Sequence, residues 1–289
     1  MTRIAKLSVR LLLPMLVLMT TAGTAPSAPR TPDPSVERVE ASMLVTGSVD
    51  IEADGSVSAY EADEPGRLPP AVVQLLGSAV PNWRFQPIEI EGRPARVQTR
   101  ASILVHAHKA PDDGYLLSIA RASFGSSDDA DMPTAKRLTP PRYPSDLVRA
   151  GVGGTVYLMV KVARDGSVAD AMVEQVNLRT VAKDSAMQRM RDQFAESALA
   201  GTRRWTFNPP VEPDASPYWV VRVPVHFVAP DASVPKYGDW SAYVPGPRAL
   251  APWAGVEDMD APDTLVPGGV YRAGKQGPEL LTPLGSPGS

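Results

Sequence analysis

The chain has 289 residues, 43% of them hydrophobic and 21% charged, which is enough for two small domains around ordinary cores. Its 31 prolines are twice the roughly 5% of average usage, so much of the chain is expected to be connecting segment. A net charge of −3 excludes the basic footprint that phosphate-backbone binding needs, and the absence of cysteine excludes disulfides, a thiolate nucleophile and a cysteine-ligated zinc.

At the amino terminus Arg3, Lys6 and Arg10 precede an apolar run over residues 11–19, interrupted by Pro14 and followed by small residues as far as Ala28. The order of charge, apolar stretch and small residues predicts a secretory signal peptide over residues 1–22. The run is about half the ~20 residues a spanning helix requires, so cleavage is expected and the periplasm is the expected location. An uncleaved leader, tethering the chain to the inner membrane with its body facing the periplasm, is the alternative and the only route to membrane contact. Residues 23–40 and 110–135 are rich in Pro, Ser, Thr and Asp and are predicted to be linkers. Residues 230–289 hold ten prolines and nine glycines, about a third of that stretch. Residues 231–289 are therefore expected to be a disordered tail, with Tyr237, Trp240, Tyr243 and Trp253 as possible docking rings.

Between these segments the chain repeats itself. Residues 45–57 align with residues 156–168 and place Asp54-Gly55-Ser56-Val57 on Asp165-Gly166-Ser167-Val168. Further on, Trp83-Arg84-Phe85-Gln86-Pro87 aligns with Trp205-Thr206-Phe207-Asn208-Pro209. Two tandem domains are predicted, at 41–109 and 136–230. In the second, Val156, Leu158, Val160 and Val162 alternate with Tyr157, Met159, Lys161 and Ala163, the period of a strand with one buried face. Asp165-Gly166 supplies a tight turn, and residues 168–176 return as the partner strand. Met187, Met190, Phe194 and Ala198 mark one stripe of a helix over residues 182–203. Trp219, Val221, Val223, Val225 and Phe227 then predict a third strand. The first copy shows the same order with a shorter helix, residues 70–80, and a last strand at 101–106.

Pro141-Arg142-Tyr143-Pro144, the following short helix, Gly154 and its strand, Asp165-Gly166, the helix running into Trp205-Thr206-Phe207-Asn208-Pro209, and Val223-Pro224-Val225-His226-Phe227 together resemble the TonB carboxy-terminal domain over residues 137–228. The first copy resembles it more weakly and lacks the Pro-x-Tyr-Pro element. The resemblance implies an α+β fold in which each domain is a three-stranded antiparallel sheet packed with one or two helices. It also implies binding of outer-membrane TonB-dependent receptors, or other envelope proteins, by strand addition beside the last strand. The partner-binding residues that follow from it are Arg142, Tyr143 and Pro144 together with Trp219, Val220, Val221, Arg222, Val223, Pro224, Val225, His226 and Phe227; Arg142 stands where the family commonly has glutamine. Pro224, without an amide proton, suits an edge strand, and Arg222 is expected to favour an acidic partner segment. The alternative reading is a soluble periplasmic interaction or assembly module that keeps the fold without energy coupling.

No enzyme is predicted. There is no Gly-x-Ser-x-Gly, no His-Glu-x-x-His and no phosphate loop, and Gly151-Val152-Gly153-Gly154 precedes a strand instead of a helix, which removes the amide cluster a phosphate would use. His106 and His108 share a strand face with no third ligand at a recognisable spacing, so neither a metal nor another cofactor is expected.

Overall fold

The computed structural model describes residues 39–110, 114–125, 132–210, 216–253, 262–266, 268–273 and 277–284. The predicted signal peptide and all but the last two residues of the linker at 23–40 lie outside them. Among the described residues, no helix is long and apolar enough to cross a membrane.

The first sheet is antiparallel and built on β1 (Glu40–Ile51). β1 pairs along most of its length with β5 (Val97–Lys109), and at its far end with β2 (Val57–Ala62). Met43, Val45, Val49 and Ile51 alternate onto one face, where α1 (Pro70–Ala79) lays Val72 and Leu76 against them. A minor ladder joins β3 (Glu89–Ile90) to β4 (Arg93–Pro94). The sheet does not stop at three strands. β6 (Tyr115–Phe124), inside the predicted linker, pairs with β5 from Ala101 to Lys109 and brings Phe124 edge-on to Trp83 and Phe85. Its pattern hid it because a bulge opposite Leu104 and Val105 shifts the alternation by one residue, which turns every later side chain to the other face.

The second sheet has the order β13 (Tyr271–Arg272), β11 (Tyr218–Phe227), β8 (Gly154–Ala163), β9 (Val168–Leu178). β8 and β9 form a hairpin, and β11 pairs with β8 along its full length. α2 (Ser145–Arg149) precedes the hairpin, and α3 (Asp184–Thr202) places Met187, Phe194 and Ala198 on the sheet. β7 (Thr134–Arg137) and β10 (Thr206–Asn208) make a small ladder beside it. β8 departs from the expected single buried face: Tyr157 and Met159 are buried as well as Val156, Leu158 and Val160.

The two repeated turns are built alike. Gly55 and Gly166 have φ of 83° and 82°, and Ser56 and Ser167 each donate a backbone N–H to the preceding Asp at 2.9 Å. The N–H of Phe85 reaches the Gly55 carbonyl, and that of Phe207 the Gly166 carbonyl, both at 2.8 Å. A side chain is excluded at both glycines, because a Cβ would stand 2.0 Å and 2.1 Å from the carbonyl oxygens of Phe85 and Phe207.

Residues 231–289, expected to be disordered, contribute ordered strands. β12 (Ser241–Tyr243) pairs with the start of β1, and β13 (Tyr271–Arg272) pairs with β11. Leu280 bridges Phe85, Val244 and Val270 complete the second core, and Tyr237 packs on the first. Composition misjudged this segment because strands of two or three residues, separated by Pro and Gly, are too short to show a period and gain their hydrogen bonds from edges supplied by other parts of the chain.

Candidate functional site

β11 is rich in β-branched and aromatic residues, and the five residues from Val221 to Val225 are all buried. Trp219, Val221, Val223 and Phe227 point into the core under α3, together with Val225, and Arg222 and Pro224 are buried as well, so the backbone and the side chains of Val220 and His226 remain for recognition. The carbonyl of Val220 accepts the N–H of Ala273 at 2.9 Å, which shows that the backbone groups of Val220, Arg222, Pro224 and His226 face away from β8. Pro224 therefore sits where its missing N–H costs no bond to β8, as an edge proline should.

That edge is not bare, which corrects the expectation of a free final strand. β13 occupies it at Val221 and Arg222, the part on which partner pairing was expected. Beyond Arg222 the outward backbone has no ladder partner among the described residues. In the first sheet, the edge of β5 is closed by β6 over nine paired positions from Ala101 to Lys109. Of these two strands, β11 is thus the one with the shorter cover.

Arg222 also departs from its expected role. Its guanidinium donates to both oxygens of Glu174, at 2.8 Å and 3.0 Å, and its side chain is 2% exposed. It is spent on an internal ion pair, and Arg248 supplies a second cation to the same carboxylate at 2.8 Å. Sequence reasoning missed Glu174 and Arg248 because one lies mid-strand and the other in the tail, with no spacing to connect them. His226 places Nδ1 3.3 Å from Thr155 Oγ1, while burial, aided by Arg179, pushes its pKa down to about 4.

The Arg142-Tyr143-Pro144 element is brought to the end of β11. The Tyr143 ring meets Phe227 edge-on at 5.3 Å and Phe194 at 5.8 Å, and its hydroxyl donates to the Val152 carbonyl at 2.6 Å. Burial raises the pKa of that hydroxyl. The Arg142 carbonyl accepts from the Ser197 hydroxyl, and Pro144, in extended conformation, caps α2. The element is a structural corner beside β11, with the Arg142 side chain exposed.

The opposite edge of the sheet is covered too. Leu178 and Val244 exchange N–H···O bonds at 3.0 Å and 2.7 Å, and Ala249 donates to the Glu174 carbonyl at 2.8 Å, so residues 244–249 run antiparallel to β9. His106 Nε2 lies 3.4 Å from Glu40, and His108 Nε2 is 3.1 Å from the Ser118 hydroxyl. Among the described residues no group of three or more His, Cys, Asp or Glu is placed to hold a metal.

With this geometry in place, comparison with known proteins adds one result. The protein TonB of Xanthomonas campestris pathovar campestris, from each of two strains, is 34% identical to 106 residues, 37% of this chain. Part of the chain is a TonB-like domain. The mixed α+β fold with antiparallel sheets agrees with that likeness. The matched stretch spans 41% of the length of those TonB proteins, about two fifths. No protein-family model matches the chain.

Proposed function

We propose that the chain is a non-enzymatic, TonB-like envelope protein of outer-membrane transport that binds an extended segment of a partner protein by strand addition along β11. The observation that carries this reading is the 34% identity to TonB over 106 residues. The limited cover of β11, two residues of β13 against nine paired positions on β5, supports the choice of edge. The incoming strand pairs with the outward backbone of Val220, Arg222 and His226 and displaces β13, while Tyr143 and Pro144 border its far end. Main-chain hydrogen bonds supply affinity in this mode. The Arg222 side chain, held by Glu174, takes no part in reading the partner.

The expected partners are outer-membrane TonB-dependent receptors or other envelope proteins, met in the periplasm after removal of residues 1–22. The matched geometry of the Gly55 and Gly166 turns supports two tandem copies of one ancestral domain, the first closed to partners by β6. Titration of the full chain with extended receptor-derived peptides, followed by backbone amide shifts, tests the reading. Shifts are expected at Val220, Arg222 and His226, with Tyr271 and Arg272 losing exchange protection. Shifts confined to α3 would overturn strand addition.

A further inference from the structure

The two sheets turn their helix-free faces toward one another. Leu44 and Leu104, cross-strand neighbours of the first sheet, and Thr155, Tyr157, Arg179 and His226 of the second line a partly open cavity of about 230 Å³, bordered on one side by tail residues that include Leu265. One water needs only roughly 10–15 Å³ by the same measure, so the space suits a ligand of several heavy atoms. Its charged lining groups are unequally met: Lys236 is exposed to solvent, and Asp263 keeps one buried oxygen without a partner. The buried carboxylate in the lining, Asp263, accepts from Arg121 and from the Tyr243 hydroxyl. The other lining acid, Asp239, is exposed and accepts the backbone N–H of Lys236. Arg179, half-buried, has no hydrogen bond or ion pair to its guanidinium among the described residues, and burial lowers its pKa with only the Tyr157 phenol opposing. That phenol is itself held neutral by burial, so it supplies no counter-charge.

A cation drawn out of water without a counter-ion is costly, and an anion in the same cavity offsets that cost. His226 lines the same space. When the Thr155 hydroxyl donates to its Nδ1, the neutral ring carries its proton on Nε2, and that nitrogen is buried without a partner. We propose that this cavity binds a small organic carboxylate, its charge on Arg179 and its apolar body between Leu44, Leu104 and Leu265. A free organic acid and the carboxy-terminal carboxylate of a short peptide share this chemistry.

The test is titration of the full chain with 4-phenylbutyrate and, separately, with a tetrapeptide ending in leucine, each beside its carboxamide, following the backbone amides of Thr155, Asn177 and Arg179. At least one acid is expected to bind, with its amide weaker by roughly tenfold or more, since a charge-assisted hydrogen bond is lost. The acid that responds identifies the source. Arg179→Gln is expected to abolish binding and Arg149→Gln, on the exposed α2 surface, to leave it unchanged. Silence from both acids, equal binding of acid and amide, or retained binding in folded Arg179→Gln would each overturn the proposal. If that variant fails to fold, the comparison of acid with amide on the unaltered chain decides alone.

Discussion

Arg222 and Glu174 form a bidentate ion pair across the second sheet, with side chains 2% and 0% exposed. Two strands, β9 and β11, that are not neighbours in the sheet are thus linked over β8, and Arg248 draws the tail onto the same carboxylate. The pair lies on the face turned away from α3, where a lone charge would be isolated from water.

Removing one partner should therefore be severe. Glu174→Gln is expected to lower unfolding free energy by about 3–5 kcal/mol, the cost of stranding a buried charge, read by urea denaturation. The double variant Glu174→Leu with Arg222→Met is expected to recover much of that loss, because Arg248, 29% exposed, can turn its head to solvent. A double variant no more stable than the single one would show that the charge itself is required.

Gly166→Ala is expected to destabilise by more than about 2 kcal/mol, since a positive φ and a backbone oxygen in the way combine strain with displacement. Gly55→Ala should behave the same way. Gly77→Ala, in α1 with nothing within 4 Å of the added Cβ, should instead stabilise by about 0.5–1 kcal/mol. Thermal unfolding of the three variants checks the contrast.

Deleting residues 241–284 should unpair both edges of the second sheet. Hydrogen exchange at the Leu178 amide, which donates to Val244 at 3.0 Å, is expected to accelerate in the shortened chain. The amides of β8, bonded on both sides, should keep their protection. If the Leu178 rate is unchanged, the tail does not hold that edge in solution.

Stability should fall between pH 6.5 and pH 4. An unfolded chain protonates His226 near the ordinary 6.5, whereas the folded chain resists until about 4, so the unfolded state binds more protons in that window and gains on acidification. The effect is on the order of 2–3 kcal/mol at about 1.4 kcal/mol for each pH unit. His106, also pushed down by burial, acts in the same direction; Asp263, pushed up by burial, opposes it at the acid end. Urea denaturation at pH 7, 5.5 and 4.5 should show a shallower slope for His226→Gln.

Sequence alone determined the parts of this protein whose reasons are local. Period-two alternation located β8 and β11, the spacing of Met187, Phe194 and Ala198 located α3, and Asp-Gly-Ser marked the two turns at Gly55 and Gly166, because each pattern records a local constraint within a few residues. Tertiary structure decided what depends on partners far along the chain. Arg222 looked available for an acidic partner because its strand alternates cleanly, yet Glu174, 48 positions away, consumes its charge. Residues 241–243 and 271–272 carry too few residues to state a period, and they become strands only because β1 and β11 present unpaired backbone for them to satisfy. Arg179 lies just past the end of β9, and only the meeting of two sheets beside it removes much of its water and leaves its charge to be answered.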